Sequence, residues 1–174
     1  MLWLTQAYAD IRNFMEMGGD VLFAILAVTF FMWLLIVERF WYYRTGHRKL
    51  VKQVVSTWEA RSDTTSWYAH RVREALISQV KESLNASVPL IKTLVALCPL
   101  LGLLGTVTGM IAVFDVMATS GSGNARGMAD GVSKATLPTM AGMVAALSGL
   151  FFSTMLERYV SSETDRVADR LIRH

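Results

Sequence analysis

The chain has 174 residues, of which 53% are hydrophobic and 18% are charged, and its formal net charge at pH 7 is +3. Its one cysteine, Cys98, excludes a disulfide or a multi-cysteine metal site within the chain. The apolar residues are concentrated in long blocks, and the mean hydropathy is positive. That distribution is typical of a membrane protein and argues against an ordinary soluble domain.

Three uncharged blocks are long enough to cross a bilayer as helices: Val21 to Val37, Thr93 to Phe114 and Ala135 to Leu156. A bilayer core of about 30 Å needs roughly 20 helical residues. Aromatic residues over 40–43 can extend the first block into the interface. The charged pair directly after that block favours a retained anchor over a cleaved signal peptide. We therefore predict an all-α integral membrane protein with three transmembrane helices, over 20–43, 89–117 and 132–158.

The segment before the first span, 1–19, carries a short amphipathic pattern. Its apolar residues recur near one helical face: Leu4, Tyr8, Ile11 and Met15. The pattern ends at the Gly18-Gly19 pair. We expect a helix that lies along the outer surface of the membrane.

Residues 44–88 form a basic segment that contains one clear periodic run. Apolar residues recur there every four positions: Val72, Leu76, Val80, Leu84 and Val88. This spacing predicts a helix with one apolar face. Pro89 follows at the start of the second span, where a proline marks either a kink or the first turn of a new helix.

The link between the second and third spans, 118–131, is rich in Gly, Ser and Asn, and these residues predict a loop. So short a link makes the two spans antiparallel neighbours. The last segment, 159–174, has apolar residues among charges and is predicted to continue the third helix beyond the membrane. The helical extensions in 44–88 and 159–174 could pair with each other, pair with another copy, or lie solvated on the membrane surface.

The distribution of basic residues predicts the orientation in the membrane. Arg and Lys are concentrated in 44–88 and 159–174, whereas acidic residues outnumber Arg12 near the N-terminus. The two basic segments should therefore be cytoplasmic, and the N-terminus and the 118–131 link should be periplasmic. The pI of about 9.2 then reflects topology. Because acidic residues interrupt the basic ones, we predict no nucleic-acid binding, and the sequence indicates no metal site and no cofactor.

Glycines recur within the second span at Gly102, Gly105 and Gly109, and the last two form a G-x-x-x-G step. Gly142 belongs to a similar small-residue surface on the third span. Helices in lipid associate through close packing and hydrogen bonds, because apolar burial gives little gain there. These surfaces predict tight packing within the hairpin or within a ring of hairpins.

Four threonines lie in the same two spans: Thr106, Thr108, Thr136 and Thr139. A threonine hydroxyl can bond to a carbonyl of its own helix, or it can line a polar path. Neither uncharged block contains Asp, Glu, Lys, Arg or His, although intramembrane proton paths ordinarily need an ionisable group. If the protein conducts protons, a second chain must therefore supply the carboxylate.

Two stretches of these spans resemble the ExbB/TolQ/MotA family of proton-driven stator subunits, and ExbB most of all: CPLLGLLGTVTGM over 98–110 and DGVSKATLPTMAGMVAA over 130–146. In the first stretch the matching residues are Pro99, Gly102, Gly105, Thr106 and Gly109. In the second, Thr139 is similar to the family's pore threonine and Gly142 to its glycine. The resemblance assigns helix packing to the proline and the glycines, and pore lining to the threonines.

The resemblance implies a homopentameric ring around a central lumen, in a Gram-negative inner membrane. The lumen would hold the single spans of ExbD-like partner chains, each with an intramembrane aspartate. Proton motive force would then drive work on a TonB-like energy transducer for outer-membrane uptake. The threonine hydroxyls would limit the desolvation cost of the partner's aspartate. A TolQ-like role in the Tol-Pal envelope system would use the same chemistry.

Charged residues at the ends of the spans are further candidates. Asp115 is either an interfacial cap or a point of ion entry. Lys134 occupies a position where the family often has a glutamate, and it is either an interfacial anchor or a contact to an acidic group of a partner. Two charged pairs lie at the cytoplasmic ends and are interpreted as anchors and intersubunit ion pairs, or as exit-side residues: Glu38-Arg39 and Glu157-Arg158.

Two other classes of protein fit the sequence less well. An intramembrane serine protease needs a histidine partner within the membrane, but His47, His70 and His174 all lie outside the spans. The chain also has no G-x-S-x-G motif, so we predict that it is not an enzyme. A non-conducting membrane scaffold would use its glycines for packing alone, and valine at Thr106 and Thr139 would then be harmless.

Overall fold

The structure is a computed structural model that describes residues 2–61, 63–64, 66–120 and 125–172. These residues form four α-helices: α1 (Leu2–Glu59), α2 (Trp67–Asn85), α3 (Val88–Ser120) and α4 (Ala125–Ile172). Three helical stretches have the length and composition to cross a membrane: Gly19–Glu59, Trp67–Thr119 and Ala125–Leu171. The predicted all-α class with three long apolar helices is confirmed. The middle of the predicted 118–131 loop, and Arg173 and His174 in the tail, lie outside the described residues.

Helix α1 contains a break at Gly19, where the amphipathic pattern of 1–19 was predicted to end. Gly19 has φ 65° and ψ −165°, a backbone conformation that glycine adopts at little cost because it has no Cβ. Before the break, the apolar side chains of Leu4, Tyr8 and Ile11 are exposed. This face is free to meet lipid, and its position along the outer membrane surface stays a prediction.

After the break, α1 continues past residue 43 and ends at Glu59. Helix α2 then begins after Ser66, whose side chain accepts a hydrogen bond of 3.1 Å from the backbone N–H of Ala69. Such a cap satisfies one of the N–H groups that have no partner at a helix start. Helix α3 begins at Val88, so Pro89 lies in the first turn of a new helix, where its missing N–H is not needed.

The predicted loop over 118–131 is wrong for those of its residues that the structure describes. Helix α3 runs to Ser120 and α4 begins at Ala125, so the Gly and Ser residues did not end either helix where their composition suggested. Gly131 lies inside α4, and a Cβ added there would meet Val113 of α3. The close approach of the two helices at this level gives a packing reason for a glycine in a helical position.

The chain divides into two compact units, and the first comprises 1–32 with 93–150. Its buried residues come from α1, α3 and α4, and they are small or flexible: Leu22, Ile25, Met32, Val95, Cys98, Val113, Ala135, Ala145 and Ala146. The alanines and glycines of α4 let its backbone approach α3 closely, as small residues do in membrane helix pairs. This unit contains the two glycine- and threonine-bearing stretches.

The second unit comprises 33–92 with 151–174. The predicted apolar face is confirmed for α2 at Val80 and Leu84, which are fully buried. Val88, the last residue of the predicted run, is also buried but begins α3. The predicted continuation of the third span is also confirmed, since α4 runs to Ile172 and buries Val160, Val167 and Leu171. The two extensions therefore pair with each other within one chain.

Candidate functional site

The glycines of α3 lie where α3 contacts α4. A Cβ built on Gly102 would stand 3.0 Å from both the carbonyl oxygen of Pro138 and the Cα of Thr139. One built on Gly109 would stand 2.5 Å from the Cβ of Ala135, and one on Gly105 would overlap the ring of Pro138. Real Cβ atoms do not approach neighbours this closely, so these positions accept only glycine without movement of the helices.

Helix α4 contributes its own glycine to the same contact. A Cβ on Gly142 would stand 2.5 Å from the carbonyl oxygen of Cys98, which is backbone and cannot rotate away. Pro99, to which the resemblance assigned a packing role, is on the exposed side of α3. Its packing role therefore stays a prediction.

Thr139 differs from the other three threonines in its hydrogen bond. Its hydroxyl donates to the carbonyl oxygen of Gly102 at 3.0 Å and so joins α4 to α3. Thr106, in contrast, donates to Leu103 of its own helix at 2.7 Å. Thr108 and Thr136 likewise donate to carbonyls of their own helices. Three of the predicted pore hydroxyls thus make the local bond that any helical threonine can make.

Because each of these hydroxyls already donates its proton, its oxygen can only accept a further hydrogen bond. A hydroxyl that has used its proton retains lone pairs that accept hydrogen bonds. A protonated carboxylic acid can donate to such an oxygen, whereas a carboxylate needs donors and would have to break the bond from threonine to carbonyl. Since hydrogen bonding to the neutral form disfavours the charged form, the hydroxyls as arranged favour a protonated carboxyl group.

The charged residues near the start of α4 pair locally. The Lys134 ammonium lies 2.9 Å from the carboxylate of Asp130, one turn earlier in the same helix. Both side chains are about half exposed, so this pair contributes little to stability. Asp115 near the end of α3 is exposed, and among the described residues its carboxylate has no hydrogen bond or ion pair. The structure does not bring Asp115 and Lys134 together as a pair.

Arg39 is the most buried of the predicted charged candidates, with 8% of its surface exposed. Its guanidinium donates to the carbonyl oxygen of Ser83 at 3.1 Å and to the hydroxyl of Ser87 at 2.8 Å. It also stands 3.2 Å from the Glu38 carboxylate and over the ring of Tyr42. Arg39 therefore links α1 to the end of α2. These bonds lie within one chain, whereas one interpretation of the sequence was an ion pair between subunits.

Glu157, the second predicted acidic candidate, forms an ion pair with Lys92 at the start of α3. The Lys92 and Glu157 side chains are 50% and 42% exposed, which identifies a solvated pair between two helices. Arg158 is exposed. Among the described residues neither of them forms a hydrogen bond or ion pair with Arg39, so the two charged pairs of the sequence do not form one cluster.

The sequence reasoning missed the polar partners in the second unit. Ser83 and Ser87 are four residues apart, a spacing that places both on one face of a helix, and this spacing was the available signal. His47, 4% exposed, lies 3.2 Å from the carboxylate of Glu163, and no local pattern indicates that pair. No group of three or more His, Cys, Asp or Glu residues that could hold a metal is present in the described part of the chain.

Comparison with known families shows which family the chain belongs to. The profile described as the MotA/TolQ/ExbB proton channel family matches residues 43–169. The chain belongs to this family. The match includes all of α2 and α3 and most of α4, and therefore both glycine- and threonine-bearing stretches.

Several curated relatives carry names from the ExbB branch of the family. The chain is 40% identical over 82 residues to a putative biopolymer transport protein ExbB-like 1 of Synechocystis, which covers 45% of this chain and 32% of the relative. It is 29% identical over 100 residues to the ExbB-like 1 protein of Helicobacter pylori strain 26695, covering 58% and 53%. It is 35% identical over 81 residues to the biopolymer transport protein exbB1 of Vibrio cholerae, covering 46% and 36%.

These matches confirm the resemblance to ExbB. The chain spans between a third and about half of the length of the curated relatives it matches. Together with three apolar helices, the family indicates an inner-membrane protein.

Proposed function

We propose that this chain is the ring-forming subunit of a proton-driven stator that works with a partner chain. The proposal rests on the composition of α3 and α4 in a chain of this family. The two helices offer hydroxyl oxygens, but neither Thr93 to Phe114 nor Ala135 to Leu156 contains an ionisable group. A single-span, ExbD-like partner would bring the aspartate. Copies of this chain, five in the homopentamer that the resemblance implies, would surround it.

The state of the threonine hydroxyls supports a mechanism for the partner's aspartate. With Thr106 and Thr139 donating to backbone carbonyls, a neutral aspartic acid beside them finds an acceptor for its proton. An ionised aspartate needs donors, and each rotation of a threonine toward it breaks the bond from its hydroxyl to a backbone carbonyl, worth about 1 kcal/mol. The aspartate would therefore rest protonated and ionise when the ring and the partner move relative to each other.

The work done by the stator would be transmitted to a TonB-like energy transducer for outer-membrane uptake. A TolQ-like role in the Tol-Pal envelope system is the alternative within the same class. A non-conducting scaffold is the second candidate, and one observation favours it: three of the four threonines already make bonds within their own helices.

Proton flux into proteoliposomes tests the proposal. The chain is reconstituted alone and together with a co-expressed single-span protein that carries an intramembrane aspartate, and an internal pH-sensitive dye reports flux after a potential is applied. We expect flux only with both chains, and its loss when that aspartate is replaced by asparagine. Rapid flux through this chain alone would contradict the proposed division between the two subunits.

Valine variants separate the channel from the scaffold. Thr106→Val and Thr139→Val keep the side-chain shape and remove the hydroxyl, and Thr106→Ser restores it. Thr29→Val is the matched control, because Thr29 makes the same kind of bond, to Ile25 of α1. We expect both candidate variants to assemble and to lose most of the flux, with serine restoring it. Unchanged flux in both valine variants would contradict pore lining by these hydroxyls.

A further inference from the structure

Two adjoining cavities lie between α1 and α4 in the second unit, outside the threonine-bearing stretches. The first has a volume of about 810 Å³ and is mostly apolar, with Val37, Phe40, Trp41, Met155 and Leu156 among its lining residues. The second has a volume of about 450 Å³ and is polar. Both are lined by Tyr43, Arg44 and Tyr159, so one elongated ligand can occupy both.

The polar cavity carries a strong excess of positive charge. Five basic side chains line it: Arg44, Arg48, Lys52, Arg166 and Arg170. The one acidic lining residue, Glu163, is already engaged by His47 and by Arg166. Most of the positive charge is therefore not compensated within the cavity, and an anion would lower its electrostatic energy.

His47 is the buried histidine of the polar cavity. This residue lines the polar cavity and is only 4% exposed. Its Nε2 contacts Glu163, while its Nδ1 is buried without a hydrogen-bond partner among the described residues. Because this nitrogen is closed off from the cavity, the indication of an occupant comes from the basic side chains that line it.

We propose that the two cavities together bind one anionic phospholipid. One of its acyl chains would lie in the apolar cavity against Phe40 and Met155, and its phosphate would lie between Arg44 and Arg48. Basic pockets between membrane helices recognise anionic head groups in this way. A free phosphate would fill only the polar cavity and leave the apolar cavity empty. A second copy of the chain is the other possible occupant, and the variants below distinguish it from a lipid.

The test is native mass spectrometry of the detergent-solubilised full chain, titrated with phosphatidylglycerol or with zwitterionic phosphatidylcholine of the same acyl chains. We expect phosphatidylglycerol to be retained and phosphatidylcholine not. Arg44→Gln with Arg48→Gln should weaken phosphatidylglycerol binding on the order of tenfold. Lys49→Gln with Arg71→Gln removes the same charge from exposed residues that do not line either cavity, and it should leave binding unchanged.

A second pair of variants tests the apolar part without changing charge. Thr45 lines the apolar cavity and bonds to a carbonyl of its own helix. Thr57 makes the same kind of bond on α1 but does not line either cavity. We expect Thr45→Phe to displace the acyl chain and weaken binding, and Thr57→Phe to have no effect.

Three results would overturn the proposal. The first is equal loss of binding in the cavity variant and in the Lys49/Arg71 control, which would indicate diffuse charge attraction. The second is displacement of phosphatidylglycerol by millimolar inorganic phosphate, which would identify an anion site without a lipid. The third is a Thr45→Phe variant that changes the oligomeric state in lipid-free detergent and leaves lipid binding intact, because a second copy would then fill the apolar cavity.

Discussion

At the scale of single residues, the glycines and Thr139 act together. A threonine hydroxyl on one helix reaches a carbonyl on its neighbour only if the two backbones approach closely, and glycine permits that approach. Thr139 donates to Gly102 at 3.0 Å, and Gly142 lies three residues further along α4 against Cys98. Glycines inside an apolar helix, which would weaken an isolated helix in water, therefore shape the α3–α4 contact.

We expect Gly142→Ala to destabilise the protein. The new methyl group would stand 2.5 Å from the backbone carbonyl of Cys98, so the helices must move apart, and overpacking of this kind costs about 1–3 kcal/mol. The thermal unfolding midpoint in detergent should fall by several degrees. Gly46→Ala is the control, because its methyl would meet the side chain of Tyr42 at 2.6 Å, and a ring can shift. An equal fall in both variants would contradict a specific α3–α4 contact.

At the scale of secondary-structure elements, α1 completes the end of α2. The last carbonyls of any helix have no partner within that helix. Arg39 donates to the carbonyl of Ser83 at 3.1 Å, and the Tyr43 hydroxyl donates to the carbonyl of Leu84 at 3.0 Å. A positive charge at a helix C-terminus is also favoured by the helix dipole. Two side chains one turn apart on α1 thus supply hydrogen-bond donors to the last turn of α2.

We expect Arg39→Leu to lower the free energy of unfolding by about 2 kcal/mol, because hydrogen bonds from a charged donor to partly buried acceptors are lost. Arg71→Leu is the matched control. Arg71 pairs with Glu74 on the surface of α2, and an exposed pair is worth about 0.5 kcal/mol. Denaturant unfolding followed by circular dichroism measures both. A loss at position 39 no larger than that at position 71 would show that Arg39 is not needed to hold α2.

At the scale of the whole molecule, large apolar side chains are exposed along every long helix. They include Phe30 and Phe31 on α1, Leu103 on α3 and Val144 and Leu147 on α4. Such surfaces are stable in lipid and would aggregate in water. Contact with lipid therefore suits the surfaces that this chain leaves exposed.

Orientation in the membrane gives the whole-molecule prediction. The positive-inside rule places the residues before Gly19 outside and the last segment in the cytoplasm. We expect a membrane-impermeant maleimide to label Tyr8→Cys in intact spheroplasts, and to label Asp169→Cys only after the inner membrane is opened. Both positions are exposed, and the native Cys98 is buried, so background labelling should be low. Labelling of Asp169→Cys from outside would reverse the topology.

The amino-acid sequence alone determined the features that depend on local pattern. Long apolar blocks predicted three spanning helices because length and composition suffice for that inference. The four-residue spacing around Val80 predicted the buried face of α2, and the glycine pair predicted the break at Gly19. The composition of 118–131 was misleading for its described residues, which continue α3 and begin α4. Only at Gly131, against Val113, does the structure give a packing reason for this.

Only the tertiary structure decided which group each side chain meets. Thr106 and Thr139 look equivalent in sequence, since every helical threonine has a carbonyl of its own helix within reach. Thr139 instead bonds across to Gly102 because the register of α4 against α3 brings that carbonyl close. Arg39 and Ser83 are far apart in sequence, and His47 and Glu163 are farther still. Hydrogen bonds between distant residues follow from the packing of helices, which no local pattern of residues specifies.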